Sequence, residues 1–174
     1  MPEDDKQAAL RDTGRWVVIA VVLIVLDQLT KYLAVKHIPT DATVPLLPFL
    51  SLVLTYNTGA AFSLLAGASG WQRWFFIGLG VVVSAGIIYW LRSLPRGSAP
   101  WLPAALTLVM GGALGNVIDR VAHGHVVDFL HFHWQGHYFP AFNVADSAIT
   151  VGAALLIIDA LLEGRRARQK ARAE

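Results

Sequence analysis

The chain has 174 residues, of which 55% are hydrophobic, 15% are charged and none is cysteine. Soluble domains carry about 25% charged residues, so this composition indicates a membrane protein. The lack of cysteine excludes disulfides, a thiol nucleophile and a cysteine zinc site, and a formal net charge of +2 is too small to indicate a nucleic-acid partner.

Four apolar runs have the length of about 20 residues that a helix needs to cross a bilayer. They cover residues 16–35, 71–91, 100–121 and 141–162. The first run follows a short basic stretch, as a secretory signal does, but it is long, contains Asp27 and Lys31, and is followed by no small-residue cleavage site. We therefore predict four retained spans in a single integral membrane domain, residues 1–174.

The first span carries two opposite charges. Asp27 and Lys31 are four positions apart, so they share one helical face and can neutralise each other. We favour an ion pair that anchors the outer end of this span over a catalytic role.

The connection over residues 43–66 is apolar but too broken to span. It has two prolines, a β-prone run over residues 49–56 and a turn containing Asn57 and Gly59. We predict a small sheet followed by an interfacial segment on the outer leaflet. Residues 57–68, rich in small side chains, are either a lid over a site or a fixed membrane anchor.

The third span has a polar face within GGALGNVIDR. Helical spacing places Asn116 on the same side as Asp119 and Arg120. Gly111, Gly112 and Gly115 permit close approach of another backbone, which is ordinary transmembrane packing. Packing glycines need no polar neighbours, so we interpret this face as functional.

Two aspartates flank the start of the last span. Asp128 lies in VVDFL within the second outer connection, whose aromatic residues are typical of a headgroup belt. Asp146 shares a helical face with Asn143, and a helix opening at Ala141 would place it roughly 8 Å below the helix start. Two carboxyls that converge share a proton, which is the arrangement of an aspartyl hydrolase.

Five histidines surround Asp128: His123, His125, His131, His133 and His137. Histidines crowded around a carboxylate can form a zinc site. Their spacing is not that of a helical HExxH motif and no glutamate lies among them, so we favour an interfacial cluster and predict no metal.

The basic residues indicate the topology. They concentrate in residues 1–15, in the turn after the second span and in the tail over residues 163–174, whereas the two longer connections carry almost none. By the positive-inside rule both termini are cytoplasmic and the longer connections lie outside.

Five motifs carry a family resemblance. In chain order DQLTKYLA, YNTGAAFSLL, GGALGNVIDR, VVDFL and FNVADSAIT, between residues 27 and 152, resemble lipoprotein signal peptidase, also called signal peptidase II. The resemblance implies an all-α polytopic protein of the bacterial cytoplasmic (inner) membrane, with four transmembrane helices, a small extracytoplasmic β cradle and an interfacial helix. It also implies a site that faces the outside.

The implied activity is that of a metal-independent aspartyl endopeptidase without a cofactor. Its substrate is a prolipoprotein that already carries diacylglycerol on the lipobox cysteine, and cleavage falls just before that cysteine. Membrane lipids are the other implied partner, and we expect a monomer. By resemblance, Asp128 and Asp146 match the catalytic pair. The remaining matches are substrate-binding Asn57, Gly59, Gly112, Asn116, Arg120 and Asn143, and supporting Asp27, Lys31 and Asp119.

Two other classes of function use similar features. A proton-coupled transporter also needs intramembrane carboxylates, but it is expected to show internal repeats or broken helices. The sequence contains no evident repeat, and its polar groups crowd toward the outer leaflet. A structural scaffold would tolerate loss of both aspartates. We favour the peptidase.

Overall fold

A computed structural model describes residues 3–59, 69–95 and 99–173 of the chain. Its four helices are α1 (Glu3–His37), α2 (Trp71–Ser93), α3 (Trp101–His123) and α4 (Val144–Ala173). The segments long and apolar enough to cross a membrane are Thr13–His37, Trp71–Ser93, Trp101–His123 and Val144–Arg165. The four predicted spans are therefore confirmed, with ends shifted by a few residues.

The start of α4 differs from the prediction, and Asn143 explains why. The side-chain oxygen of Asn143 accepts a hydrogen bond from the Asp146 amide at 2.8 Å, which is the contact of a helix N-cap. The helix therefore begins at Val144 and not at Ala141. Asp146 lies in the first turn, so the predicted depth of roughly 8 Å was wrong; two residues of helical rise are about 3 Å.

Helix α3 is the centre of the bundle and contacts each of the other three helices. Glycines bring it into backbone contact with α4. A Cβ added to Gly112 would collide with the Ala145 carbonyl oxygen, and one added to Gly152 would lie 2.7 Å from the Ala105 carbonyl oxygen. At the other side of α3, Leu106 and Met110 pack with Ile87 of α2 in a buried apolar cluster.

A four-stranded antiparallel sheet joins the two longer connections. Its strands, in spatial order, are β1 (Val44–Leu47), β2 (Leu50–Asn57), β3 (Val126–Trp134) and β4 (His137–Tyr138). The predicted sheet is confirmed, but its central pair includes β3, which lies in the second outer connection, where the sequence predicted no strand. The predicted interfacial segment and lid fall largely on residues 60–68, which lie outside the described residues.

The sheet places β3 against the helices. Residues 126–129 are all buried, and Phe129 packs with Ala34 and Ile38 at the C-terminal end of α1. In the β2–β3 register, Thr55 stands opposite Asp128 and Asn57 opposite Val126. Two strands from distant parts of the sequence therefore bring Asn57 and Asp128 close to the C-terminal end of α3.

Candidate active site

A cavity of about 750 Å³ opens where α3, β3 and the start of α4 meet. Five predicted site residues line it: Asn57, Asn116, Arg120, Asp128 and Asp146. Most of the remaining lining is apolar and comes from the segment before α4 and from one face of α4. The cavity thus combines a polar end with an apolar wall.

Asp128 is buried at the polar end, with 2% of its surface exposed. Its carboxylate accepts hydrogen bonds from the side-chain amides of Asn143 at 2.7 Å and Asn57 at 3.1 Å. Strand β3 lies outside the membrane-spanning helices. Burial, and then the nearby charge of Asp146, raises the pKa of Asp128 to about 7, even though the two amides oppose that shift.

Asp146 projects from the first turn of α4. Its Oδ1 accepts a hydrogen bond from Asn116 Nδ2 at 2.8 Å, and its Oδ2 accepts one from the Asn143 amide at 3.3 Å. Together with the N-cap contact, the latter bond forms a reciprocal capping pair between Asn143 and Asp146. The helix terminus therefore fixes the direction in which this carboxylate points.

Asn143 links the two aspartates. It has no exposed surface, and its Nδ2 lies within hydrogen-bond distance of Asp128 Oδ1 and, at 3.3 Å, of Asn116 Oδ1. Asn116 in turn donates to Asp146. The carboxylates thus converge on one cavity and are joined through a continuous chain of two amides.

Arg120 supplies the positive charge at the cavity. Its Nη2 donates to the Gly59 carbonyl oxygen at 2.6 Å, and its guanidinium carbon lies 4.9 Å from the centre of the Phe76 ring. Its Nε is buried without a hydrogen-bond partner among the described residues. Arg73 of α2 holds the end of α3 by donating to the Arg120 and Val121 carbonyl oxygens.

The predicted Asp27–Lys31 ion pair is confirmed, with the charged atoms 2.8 Å apart. Lys31 also pairs with Asp119 at 3.0 Å, which the sequence did not predict. Gln28 was missed as well: its side-chain amide donates to Asp119 at 2.8 Å. Its position next to Asp27 was the only signal, because the contact crosses between two helices.

The two glycines predicted to bind substrate have other contacts in the structure. Gly59 presents its carbonyl oxygen to Arg120, and Gly112 lies in the close contact between α3 and α4. Neither lines the cavity within the described part of the chain. Their substrate-binding role stays a prediction.

The histidines near Asp128 have separate contacts. His133 lies 2.9 Å from the Ser51 hydroxyl, and His131 stacks on Tyr138. Burial, and then the neighbouring His123, lowers the pKa of His125. Over residues 3–59, 69–95 and 99–173, no three His, Cys, Asp or Glu side chains are grouped as metal ligands would be.

Comparison with known proteins identifies the family. Residues 19–162 match the family model described as Signal peptidase (SPase) II. The chain belongs to the signal peptidase II family. It is 55% identical over 153 residues to the lipoprotein signal peptidase of Ralstonia nicotianae, covering 88% of this chain and 87% of the relative. It is 49% identical over 156 residues to that of Acinetobacter baylyi, covering 90% and 87%.

A solved structure agrees with this assignment. It is a bacterial membrane enzyme determined by the in meso method at 2.3 Å resolution, with a TM-score of 0.77, 34% identity, and coverage of 87% of this chain and 90% of the other. The protein is thus a multi-pass membrane enzyme, a peptidase of the signal peptidase II family. The transporter alternative is not favoured.

Proposed function

We propose that this protein is an aspartyl endopeptidase that removes signal peptides from diacylglyceryl-modified prolipoproteins, cleaving just before the lipidated cysteine. The observation that supports this most directly is the convergence of Asp128 and Asp146, joined through Asn143, on a single cavity. Relatives about 50% identical over most of the chain carry the name lipoprotein signal peptidase. Their activity is the one that this cavity suits.

The two carboxyls act as a pair that shares one proton. Like charges in a poorly hydrated site cannot both ionise cheaply, and with its pKa near 7 Asp128 holds a proton at least part of the time at neutral pH. The pair titrates as a unit, so the roles belong to the dyad and not to a named residue.

Hydrolysis then needs only a water molecule. The ionised carboxyl takes a proton from the water while the water oxygen attacks the scissile carbonyl carbon. The protonated carboxyl donates its proton to the carbonyl oxygen. The tetrahedral intermediate collapses when the C–N bond breaks. The nitrogen of the lipidated cysteine leaves with the proton that the first carboxyl took from water. A hydroxyl of the intermediate returns its proton to the second carboxylate as the new carboxylic acid forms, and no covalent enzyme intermediate forms.

The neighbouring polar groups hold the substrate. Arg120 lines the cavity, and its guanidinium is a donor for a peptide carbonyl oxygen or the ester oxygens of the lipid. Asn57 and Asn116 orient the carboxylates and face the same space. The apolar wall near Phe142 and Ile149 accommodates acyl chains, whose methylenes need no solvation.

We place the enzyme in the bacterial inner membrane, with both termini cytoplasmic and the cavity on the outer side, because of the distribution of basic residues. Residues 1–174 form one membrane domain, in which 1–15 and 163–174 are cytoplasmic extensions. We expect it to act as a monomer, because one chain supplies both aspartates and a cavity that joins them. Because the chain has no native cysteine, single cysteines at Ser93 and His137 report the topology cleanly. A membrane-impermeant maleimide on intact cells is expected to label only the second.

The test of the proposed activity uses purified protein and a diacylglyceryl-modified prolipoprotein, with the released signal peptide measured on a gel. Asp128→Asn and Asp146→Asn are each expected to abolish cleavage. Asp159→Asn is the matched control, because Asp159 on α4 contacts only the Trp101 indole among the described hydrogen bonds. EDTA is expected to leave the rate unchanged. Cleavage by either dyad variant at the wild-type rate would refute the mechanism.

A further inference from the structure

The backbone amide of the residue before Asp146 is hydrogen-bonded to a side chain of another helix. The Oδ1 of Asp27, on α1, accepts a hydrogen bond from the Ala145 amide at 2.9 Å. Ala145 directly precedes Asp146 and is fully buried. A carboxylate at this position also stabilises the N-terminus of α4. The position of the Asp146 backbone relative to α1 is therefore set by Asp27.

The backbone amide of the residue before Asp128 is also hydrogen-bonded to a carboxylate of another element. The Oδ2 of Asp119, on α3, accepts a hydrogen bond from the Val127 amide at 3.1 Å, and Val127 directly precedes Asp128. The other oxygen of Asp119 accepts a hydrogen bond from Gln28 at 2.8 Å. With both oxygens engaged, Asp119 has one orientation, and that orientation positions the β3 backbone.

Lys31 joins these two contacts. Its Nζ lies 2.8 Å from Asp27 Oδ2 and 3.0 Å from Asp119 Oδ2, and it donates to Asn116 Oδ1 at 3.0 Å. An ammonium has three N–H donors, so all three are used. Only 4% of the Lys31 side chain is exposed, and water therefore does not compete for these donors.

The third contact of Lys31 also fixes the amide that faces the dyad. Because an ammonium cannot accept a hydrogen bond, the oxygen of the Asn116 side chain must point at Lys31. The nitrogen then points at Asp146 Oδ1, at 2.8 Å. The Nδ2 of Asn143 lies 3.3 Å from the same Asn116 oxygen, so removal of Lys31 takes away the shorter of the two donor contacts that fix the orientation of this amide.

We propose that Lys31 is a positioning residue for the dyad: one ammonium sets the relative placement of the two aspartates and the orientation of the amide between them. The inference rests on the proposed function of Asp128 and Asp146. An ion pair that served only to neutralise buried charge would require no contact with the peptides that precede both aspartates. Here each carboxylate partner of Lys31 makes one.

Lys31 also contributes to the charge at the dyad. Among the described residues, the charged groups facing Asp128 and Asp146 are Asp27 and Lys31 from α1 and Arg120 from α3. Asp119 faces Arg120 and His125. Removal of one of the two cations disfavours the ionised dyad. The acid limb of the kcat profile is therefore expected to move to higher pH by about one unit.

The experiment compares three variants in the prolipoprotein assay, with kcat and KM measured from pH 5 to 9. Lys31→Met leaves Asp27 and Asp119 unpaired. Lys31→Met/Asp119→Asn keeps the net charge of the cluster and leaves an oxygen for the Val127 amide. Lys36→Met is the matched control on the same helix, at an exposed lysine. Thermal unfolding in detergent micelles reports whether each variant is folded.

The double variant is expected to fold and to lose about 10- to 100-fold in kcat, with KM changed less than about threefold, because misplaced groups lower the rate without removing substrate contacts. Lys31→Met, if it folds, is expected to show the same loss of kcat and, in addition, an acid limb of the kcat profile shifted to higher pH. Lys36→Met is expected to match the wild type. A folded double variant with wild-type kcat and a wild-type pH profile of kcat would overturn the inference. Failure of the double variant to fold would also overturn it, because Lys31 would then serve the fold alone. In either case wild-type cleavage that depends on Asp128 and Asp146 leaves the proposed function standing.

Discussion

Asp128→Asn is expected to remove activity and to have a stability, relative to wild type, that is more favourable at pH 8 than at pH 5. The folded protein raises the pKa of this carboxyl from its ordinary 3.8 to about 7. Between these values the folded state binds a proton that the unfolded state releases. The stability contributed by Asp128 is therefore present below about pH 4 and is lost as the pH rises toward 7.

The magnitude follows from the width of that interval. One pKa unit corresponds to about 1.4 kcal/mol, so roughly two units between pH 5 and 7 correspond to a loss of about 3 kcal/mol in wild-type stability. An asparagine at position 128 does not titrate and avoids the loss. It does place an amide nitrogen near a donor from Asn57 or Asn143, at a cost of about 1–3 kcal/mol. That cost is the same at both pH values and cancels in the comparison.

The assay is the free energy of unfolding in detergent micelles at pH 5 and pH 8, followed by tryptophan fluorescence. The difference between variant and wild type is expected to become more favourable to the variant by about 2–3 kcal/mol at pH 8. Asp159→Asn serves as the control and is expected to show no such change. A variant whose stability relative to wild type is equal at both pH values would show that Asp128 ionises normally, and the argument for a shared proton would fail.

Two further predictions concern the residues around the dyad. Arg120→Lys is expected to lower kcat/KM at least about tenfold, because an ammonium lacks the planar fork that reaches two acceptors; Arg92→Lys, on an exposed part of α2, is the control, and equal rates would remove Arg120 from substrate binding. Gly112→Ala is expected to lower the thermal unfolding temperature, because the new Cβ collides with the α4 backbone. Gly86→Ala is the control: its Cβ meets nothing within 4 Å, and it is expected to stabilise α2 by about 0.5–1 kcal/mol. An unfolding temperature of Gly112→Ala equal to that of wild type would contradict the packing argument.

The helices were predictable because an apolar run of sufficient length has few alternatives in a membrane. The start of α4 was not, although the sequence contains the signal. Asn143 followed three residues later by Asp146 is a capping pattern, and the observed contacts place the helix start after Asn143. The apolar residues at 141 and 142 extended the hydropathy pattern past the true boundary.

The sheet shows where local patterns stop being informative. Strand β2 was predicted from its β-prone residues, but β3 mixes histidines and aromatic residues that also suit a headgroup belt. What makes it a strand is its pairing with β2, about 70 residues away in sequence. The link from Lys31 to Asp119 was missed for the same reason, because a pair four residues apart on one helix already accounted for the charge.

The order of the elements along the chain has a consequence for biosynthesis. Asn57 is made early, Asn116 and Asp128 much later, and the contacts that join the two carboxylates require Asn143 and the first turn of α4. A growing chain with three helices already in the bilayer therefore has no complete site. The proposed protease acquires hydrolytic capacity only when its last helix inserts. Until then the growing chain cannot cleave other membrane proteins at the same insertion machinery.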